Sequence, residues 1–326
     1  MAPSKTLFML RTLTVLLFLS VDATLMPAFA VHDDFYRTSC PDAESVIAKA
    51  VNAELDKNLK KAAGLIRMAF HDCFVEGCDG SVLLDGEDTE KTAEINLTLL
   101  GFDVIDAAKA AVEAVCPGVV SCADIIAYAA RDSTVKLNGT GWVVQGGRKD
   151  GTYSSAAAAQ KDLPLPTFDA SQLIDAFARR GLSTKQMVVL SGSHTVGIGH
   201  CDKFTERLYK FSKTHDTDPT LNATLAKQLK LECPRQTFNT TIEIFIDTIT
   251  PGQFDSKYYV GLTRRNGLFT SDQTLFEDSR TQKLVESLIS ERLFDSEFGE
   301  AMRALGRVGV KTEGQVRRDC CKVNDK

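Results

Sequence analysis

The sequence predicts a mainly α-helical fold, and three observations carry that expectation. Apolar residues recur at helical spacing, as in Ile66, Phe70 and Phe74 and again in Phe294, Phe298, Met302 and Leu305. Strand-like alternation is scarce and short. No internal repeat is visible, so a solenoid or a propeller is not expected. The 326 residues, 44% of them hydrophobic, suffice to bury a large core in one big domain or two lobes.

The chain starts with Lys5 and Arg11, then the apolar run LTVLLFLS, then small residues ending Ala28-Phe29-Ala30. That order predicts a secretory signal peptide over residues 1–30, cleaved after Ala30. The run is too short to span a bilayer well, and no second one follows, so a soluble mature protein is expected. The whole chain carries 38 Lys and Arg against 43 Asp and Glu; without Lys5, Arg11 and Asp22 the balance is 36 against 42, a net −6. A mildly acidic chain with no basic run argues against nucleic acid and anionic membranes as partners. Nine cysteines in an exported chain imply disulfides with one thiol left over, in a connectivity the sequence alone leaves open. Sequons at Asn96, Asn138, Asn222 and Asn239 suit a secreted glycoprotein.

After the leader, FYRTSCPDAESVIAKAVNAELDKN reads as an extended Cys-Pro segment and a helix with Asp42 or Ser45 as its cap. Residues 62–74 read as the next helix, on which Arg67 and His71 stand one turn apart on one face. A neutral imidazole takes a proton and a nearby guanidinium holds the charge left behind, a combination suited to splitting a polar bond. Asp72, Asp79 and Ser81 bracket a turn containing Gly77. Such oxygens suit calcium, or simply a solvated acidic loop, and their spacing is not that of an EF-hand.

The segment from Glu90 to Asp132 reads as a loop and two helices broken at Pro117-Gly118. GWVVQGGRKDG, with the only tryptophan, reads as a short strand or turn, and SSAAAAQKDLPLP as a surface stretch at a seam between lobes. LIDAFARRGLSTKQMVVLSGSHTVGIGHC predicts a helix, a stop at Gly181, a cap at Ser183 and a second helix carrying His194. His200, six residues on, would face away and be structural. His32 and His215 have no polar constellation around them. Asp247, Thr250 and Asp255 offer oxygens within a Pro-Gly turn, which by itself reads as a capped turn.

RMAFHDCFVEGCDGSVLL resembles the distal haem motif of the class III peroxidases, the secreted plant haem peroxidases. FYRTSCP, EKTA, GFDVIDAAK, CPGVVSCADI, GGRKDG, LSGSHTVGIGHC and GLFTSDQTLF extend that similarity over nearly the whole chain after the leader. The resemblance implies two helical lobes around one haem b, a distal part at roughly 31–165 and a proximal part at roughly 166–326. It implies His71 as acid–base group, Arg67 beside it, and Asn96 accepting a hydrogen bond from the distal imidazole with support from Glu90. It further implies His194 as the axial iron ligand, Asp272 as acceptor of the proximal N–H, and Pro164 at the donor entrance beside Leu165, with Glu94, Ile95 and Lys203 also at that rim.

Two calcium ions are implied as well. One would be held by Asp72, Asp79 and Ser81 with the carbonyls of Val75 and Gly77, the other by Thr195, Asp247, Thr250 and Asp255 with the Gln253 carbonyl. The implied disulfides are Cys40–Cys116, Cys73–Cys78, Cys122–Cys320 and Cys201–Cys233, with Cys321 spare. The chain departs from the common pattern in two places: Leu99-Leu100-Gly101 stands where Arg-Gly is frequent, and Ser193 where glycine is more common.

The expected function is that of a secreted, apoplastic rather than vacuolar, monomeric enzyme that reduces hydrogen peroxide to water and oxidises phenolic donors by one-electron steps. Three other readings compete. A zinc hydrolase would need repeated ligands such as H-E-x-x-H or paired C-x-x-C, which are absent. A catalytically silent extracellular binding protein is disfavoured by the joint presence of Arg67, His71, Asn96, His194 and Asp272. Catalase-like chemistry stays open as a side reaction.

Overall fold

The computed structural model describes residues 31–235 and 241–325; the expected leader with its cleavage after Ala30 and the sequon at Asn239 lie outside the described residues. Thirteen α-helices dominate these residues, as the apolar periodicity predicts. The first four pack on one another: α1 (Ala43–Lys57), α2 (Lys60–Val75), α3 (Phe102–Val115) and α4 (Cys122–Lys136). In α1 a stripe of Ile47, Val51 and Leu55 is buried, as four-residue spacing on one face requires. Neither expected cap of α1 acts as one, because Asp42 makes no side-chain cap bond and Ser45 Oγ donates backward to the Asp42 carbonyl at 3.0 Å. Helix α4 restarts after Pro117-Gly118 with Ser121 Oγ accepting from the Asp124 N–H at 3.2 Å.

The alanine run is a helix, α5 (Ala156–Asp162), rather than a bare surface stretch. Alanine is the best helix former, and Ser155 caps the run by accepting from the Ala158 N–H at 3.2 Å. Helix α5 packs against α2 and buries Ala159 fully. Both α6 (Ala170–Arg179) and α7 (Thr184–Ser191) start with reciprocal capping boxes, Asp169 with Gln172 and Ser183 with Gln186.

Helix α7 ends earlier than its sequence suggests. Residues Gly192–Thr195 tighten into a 3₁₀ turn, so His194 lies just beyond the α-helix, since Gly and Ser favour helix termination. His200 is likewise not on a helix: it closes β1 (Ile198–His200), which pairs antiparallel with β2 (Glu243–Phe245) in the register Ile198 with Phe245. The chain continues through α8 (Thr205–Leu208), α9 (Ala223–Glu232), α10 (Lys257–Thr263), α11 (Thr270–Glu277), α12 (Gln282–Ser287) and α13 (Glu291–Leu305). Phe294, Phe298, Met302 and Leu305 of α13 are all buried, so that stripe is core.

One continuous apolar core runs from Tyr36 through α1–α7 to α10 and α13. A smaller cluster of Phe204, Leu208, Leu225, Leu229, Ile244 and Leu268 lies under β1, α8 and α9. Four disulfides, Cys40–Cys116, Cys73–Cys78, Cys122–Cys320 and Cys201–Cys233, cross-link the fold. Cys320 takes the bridge because it is buried, while the neighbouring Cys321 stays a thiol against Asp319. Among the described residues, no helix is long and apolar enough to cross a membrane.

Candidate active site

Helix α2 presents Arg67 and His71 on one face, and the following loop supplies what orients them. Arg67 Nε donates to His71 Nε2 at 3.0 Å, and His71 Nδ1 lies 2.6 Å from Asn96 Oδ1. A guanidinium only donates, so Nε2 must offer a lone pair and Nδ1 must carry the proton given to Asn96. Asn96 Nδ2 in turn donates to the Glu90 carbonyl at 2.8 Å, which fixes the amide with its oxygen toward the imidazole. Glu90 thus acts on Asn96 through its main chain, while its side chain is fully buried.

Burial, reinforced by the Arg67 charge, holds the His71 imidazole well below the ordinary histidine value, so the ring is neutral. Burial also lowers Arg67, to about 10, which leaves it charged at neutral pH. Asn96 is only 1% exposed, so the sequon there has no room for a sugar. Asn222 Oδ1 caps α9 by accepting from the N–H groups of Thr224 and Leu225, and its Nδ2 donates to the Arg264 carbonyl at 3.2 Å. Asn138 is exposed and makes no such bond.

Two partners of Arg67 escape a reading of the sequence. Arg67 Nη1 donates to Thr98 Oγ1 and Nη2 to the Ile95 carbonyl, both at 2.9 Å. Thr98 draws attention in the sequence only as the third residue of a sequon. The loop that holds it is the one that departs from the common pattern, and it seats tightly on α2: a Cβ on Gly64 would lie 2.5 Å from the Leu100 oxygen.

In the second half of the chain, His194 Nδ1 lies 2.6 Å from Asp272 Oδ1, at the start of α11. Tyr258 Oη donates to that same oxygen at 2.9 Å, and the Phe269 N–H donates to Oδ2 at 2.9 Å. The carboxylate is 1% exposed, whereas the imidazole is 40% exposed. With Nδ1 committed, Nε2 of this accessible ring is the nitrogen left to bind a metal, which fits an iron ligand with a carboxylate behind it. Tyr258 is the functional neighbour here that sequence reasoning missed, since nothing in DSKYY separates a packing tyrosine from a hydrogen-bonding one. Pro164 is half-buried in the turn between α5 and α6, and the Pro166 carbonyl two residues on accepts from the Ser271 N–H in α11. His200 Nδ1 lies 3.3 Å from the Ile242 carbonyl.

Two oxygen clusters flank these histidines. Thr195 Oγ1 stands 3.2 Å from Asp247 Oδ2, 3.3 Å from the Gln253 carbonyl and 3.4 Å from Asp255 Oδ1. Thr250 Oγ1 approaches the same two carboxylates at 3.2 and 3.1 Å. Each hydroxyl has a single proton for several acceptors, so this set of oxygens has a surplus that a hard cation fits. Asp72 near the end of α2 and Asp79 and Ser81 in the loop after it are at most 1% exposed, and Ser81 Oγ finds no hydrogen-bond partner. Burial and the neighbouring Asp79 push Asp72 up to about 8, and burial followed by Asp72 pushes Glu90 up to about 9. Carboxyls crowded and buried in this way ionise at ordinary pH only with a nearby positive charge, which a dication would supply. Among the described residues no three His, Cys, Asp or Glu side chains gather as a metal centre. Both clusters instead mix carboxylates with hydroxyl oxygens, and the Thr195 cluster adds the Gln253 carbonyl, the ligand chemistry of calcium.

Residues 46–291 match the protein family described as Peroxidase. The chain is 44% identical to Peroxidase 5 of Vitis vinifera over 98% of its own length and 99% of that protein. It is 44% identical to Peroxidase 71 of Arabidopsis thaliana, covering 91% of each, and 41% identical to Peroxidase N1 of Nicotiana tabacum, covering 95% and 96%.

Proposed function

Because the chain belongs to the class III plant secretory haem peroxidases, we propose that it reduces hydrogen peroxide to water while oxidising phenolic donors one electron at a time. The observation that carries this reading is the fixed tautomer of His71, a neutral buried imidazole with its Nε2 lone pair facing Arg67. One haem b, held by His194 between a distal part at roughly 31–165 and a proximal part at roughly 166–326, would supply the electron transfer.

The chain's own residues handle protons and charge. A peroxide O–H replaces the Arg67 N–H at His71 Nε2 and gives up its proton there, while Asn96 keeps Nδ1 protonated. The imidazole then returns that proton to the departing oxygen, which leaves as water. Arg67, released from Nε2 yet still held by Thr98 and the Ile95 carbonyl, offsets the negative charge that develops on that oxygen. On the other side, Asp272 draws on the Nδ1 proton of His194 and so makes its Nε2 a stronger electron donor.

Calcium at Asp72, Asp79 and Ser81 with the Val75 and Gly77 carbonyls, and at Thr195, Asp247, Thr250, Asp255 and the Gln253 carbonyl, would brace the two histidine-bearing segments. Phenolic donors would approach at the rim of Pro164. The protein acts outside the cell, in the apoplast, as a monomer once its leader is removed. An absorption spectrum of the purified protein tests the whole reading. A haem Soret band that shifts on adding an equivalent of peroxide and recovers with guaiacol supports it; absence of that band after supply of haem and calcium rejects it.

A further inference from the structure

The segment after α13 doubles back over the loop that follows α2 and carries Asp79 and Ser81. The Cys78 N–H donates to the Val308 carbonyl at 3.0 Å, and a Cβ on Gly77 would lie 2.4 Å from the Gly309 oxygen. Farther on, Asp150 and Gln315 exchange both main-chain hydrogen bonds, at 2.8 and 2.9 Å, and Cys320 is bridged to Cys122. The strap is therefore pinned on both sides of Lys311, whose Nζ reaches Asp79 Oδ2 as an ion pair without hydrogen-bond geometry, so that this oxygen is otherwise unpartnered. Asp79 is fully buried while the Lys311 side chain is 33% exposed. A long flexible stem with its base held close by can carry the ammonium either onto the carboxylate or out to water.

We propose that Lys311 is a resident counter-cation of this loop, occupying Asp79 when no metal is bound and yielding the carboxylate to calcium, so that it sets the affinity of the site. The proposal rests on reading Asp72, Asp79 and Ser81 as calcium ligands. A fully buried carboxylate is costly to leave unpaired, and the buried Arg317 beside this loop gives its Nη2 to the Gly80 carbonyl and pairs with Asp150, so in the metal-free loop Asp79 takes its counter-charge from Lys311. Calcium needs the oxygen that the ammonium holds. Binding then includes the work of moving a positive charge away, and a chain without that charge binds calcium more tightly but is less stable without it.

The test is a calorimetric calcium titration of the chelator-treated, haem-loaded protein, for the unaltered chain, Lys311→Met and Asp79→Asn, with thermal melting in chelator and in saturating calcium. Lys311→Met should bind one of the two calcium ions about tenfold more tightly, the scale of one partly exposed unit charge beside a dication, with added salt narrowing the difference. It should also melt below the unaltered chain in chelator and level with it in calcium. Equal affinity and equal melting in chelator, with Asp79→Asn losing one calcium, overturns the role of Lys311 and leaves the calcium reading standing. Unchanged calcium stoichiometry in Asp79→Asn overturns the calcium reading and the proposal with it. Ser81→Ala, which removes only a hydroxyl, replaces Asp79→Asn if that variant does not fold.

Discussion

His71 is held by bonds on both ring nitrogens, and the consequences are measurable one residue at a time. His71→Ala should retain haem and slow the peroxide step by on the order of 10²–10⁴-fold in stopped-flow kinetics, the usual worth of a placed acid–base group. Asn96→Asp should slow it less, by roughly tenfold, because an acceptor for Nδ1–H remains. The pH dependence follows from burial. The folded imidazole titrates well below 6.5, so the peroxide step should show no midpoint at that value and should fall only in more acid solution. The same shift bears on stability: the unfolded chain takes up this proton near 6.5 and the folded chain only lower. The contribution of His71 is thus whole above 6.5 and is lost as pH falls toward the folded value. A rate midpoint at or above 6.5 would contradict the buried neutral ring. Arg67 and His71 were legible from the sequence because one helical turn places them side by side. Thr98 and Tyr258 were not, since a hydroxyl's partner depends on chain folded back from elsewhere.

Short elements between the helices decide how those side chains are presented. The turn Gly192–Thr195 takes His194 off the axis of α7, and β1 with β2 then carries the chain away, where the sequence suggested a longer helix. Local propensity misleads here because apolar spacing continues through Val196 and Ile198 although the backbone has left the helix. The loop after α2 depends on one crossing of main chains. Gly77 has φ +96° and faces the Gly309 oxygen, so Gly77→Ala adds both backbone strain and a clash. We expect a loss of more than about 1–3 kcal/mol, the cost of a strained backbone alone, read from urea unfolding. Its calcium affinity should fall as well, since the Gly77 carbonyl is one of the proposed ligands.

Across the whole molecule, one core spans both halves and the disulfides fasten segments far apart in sequence. The Cys122–Cys320 bridge closes 198 residues and Cys201–Cys233 closes 32. Loop-closure entropy ranks them, with removal costing about 5 and about 4 kcal/mol respectively. Replacing Cys122 and Cys320 by alanine should therefore lower the urea midpoint more than replacing Cys201 and Cys233. Substituting Cys321 should leave the midpoint unchanged, because it forms no bridge. A mainly α fold was determined by the sequence alone, since helical periodicity and caps are local properties of the chain. The Arg67–His71 pair and the Ser183 cap were determined for the same reason. The tertiary structure decided what depends on long-range contact: Thr98 on Arg67, Tyr258 on Asp272, Cys320 rather than Cys321 in the bridge, and Lys311 against Asp79. Those contacts join residues 14 to 232 apart, and no local pattern records which distant segment a folded chain brings alongside.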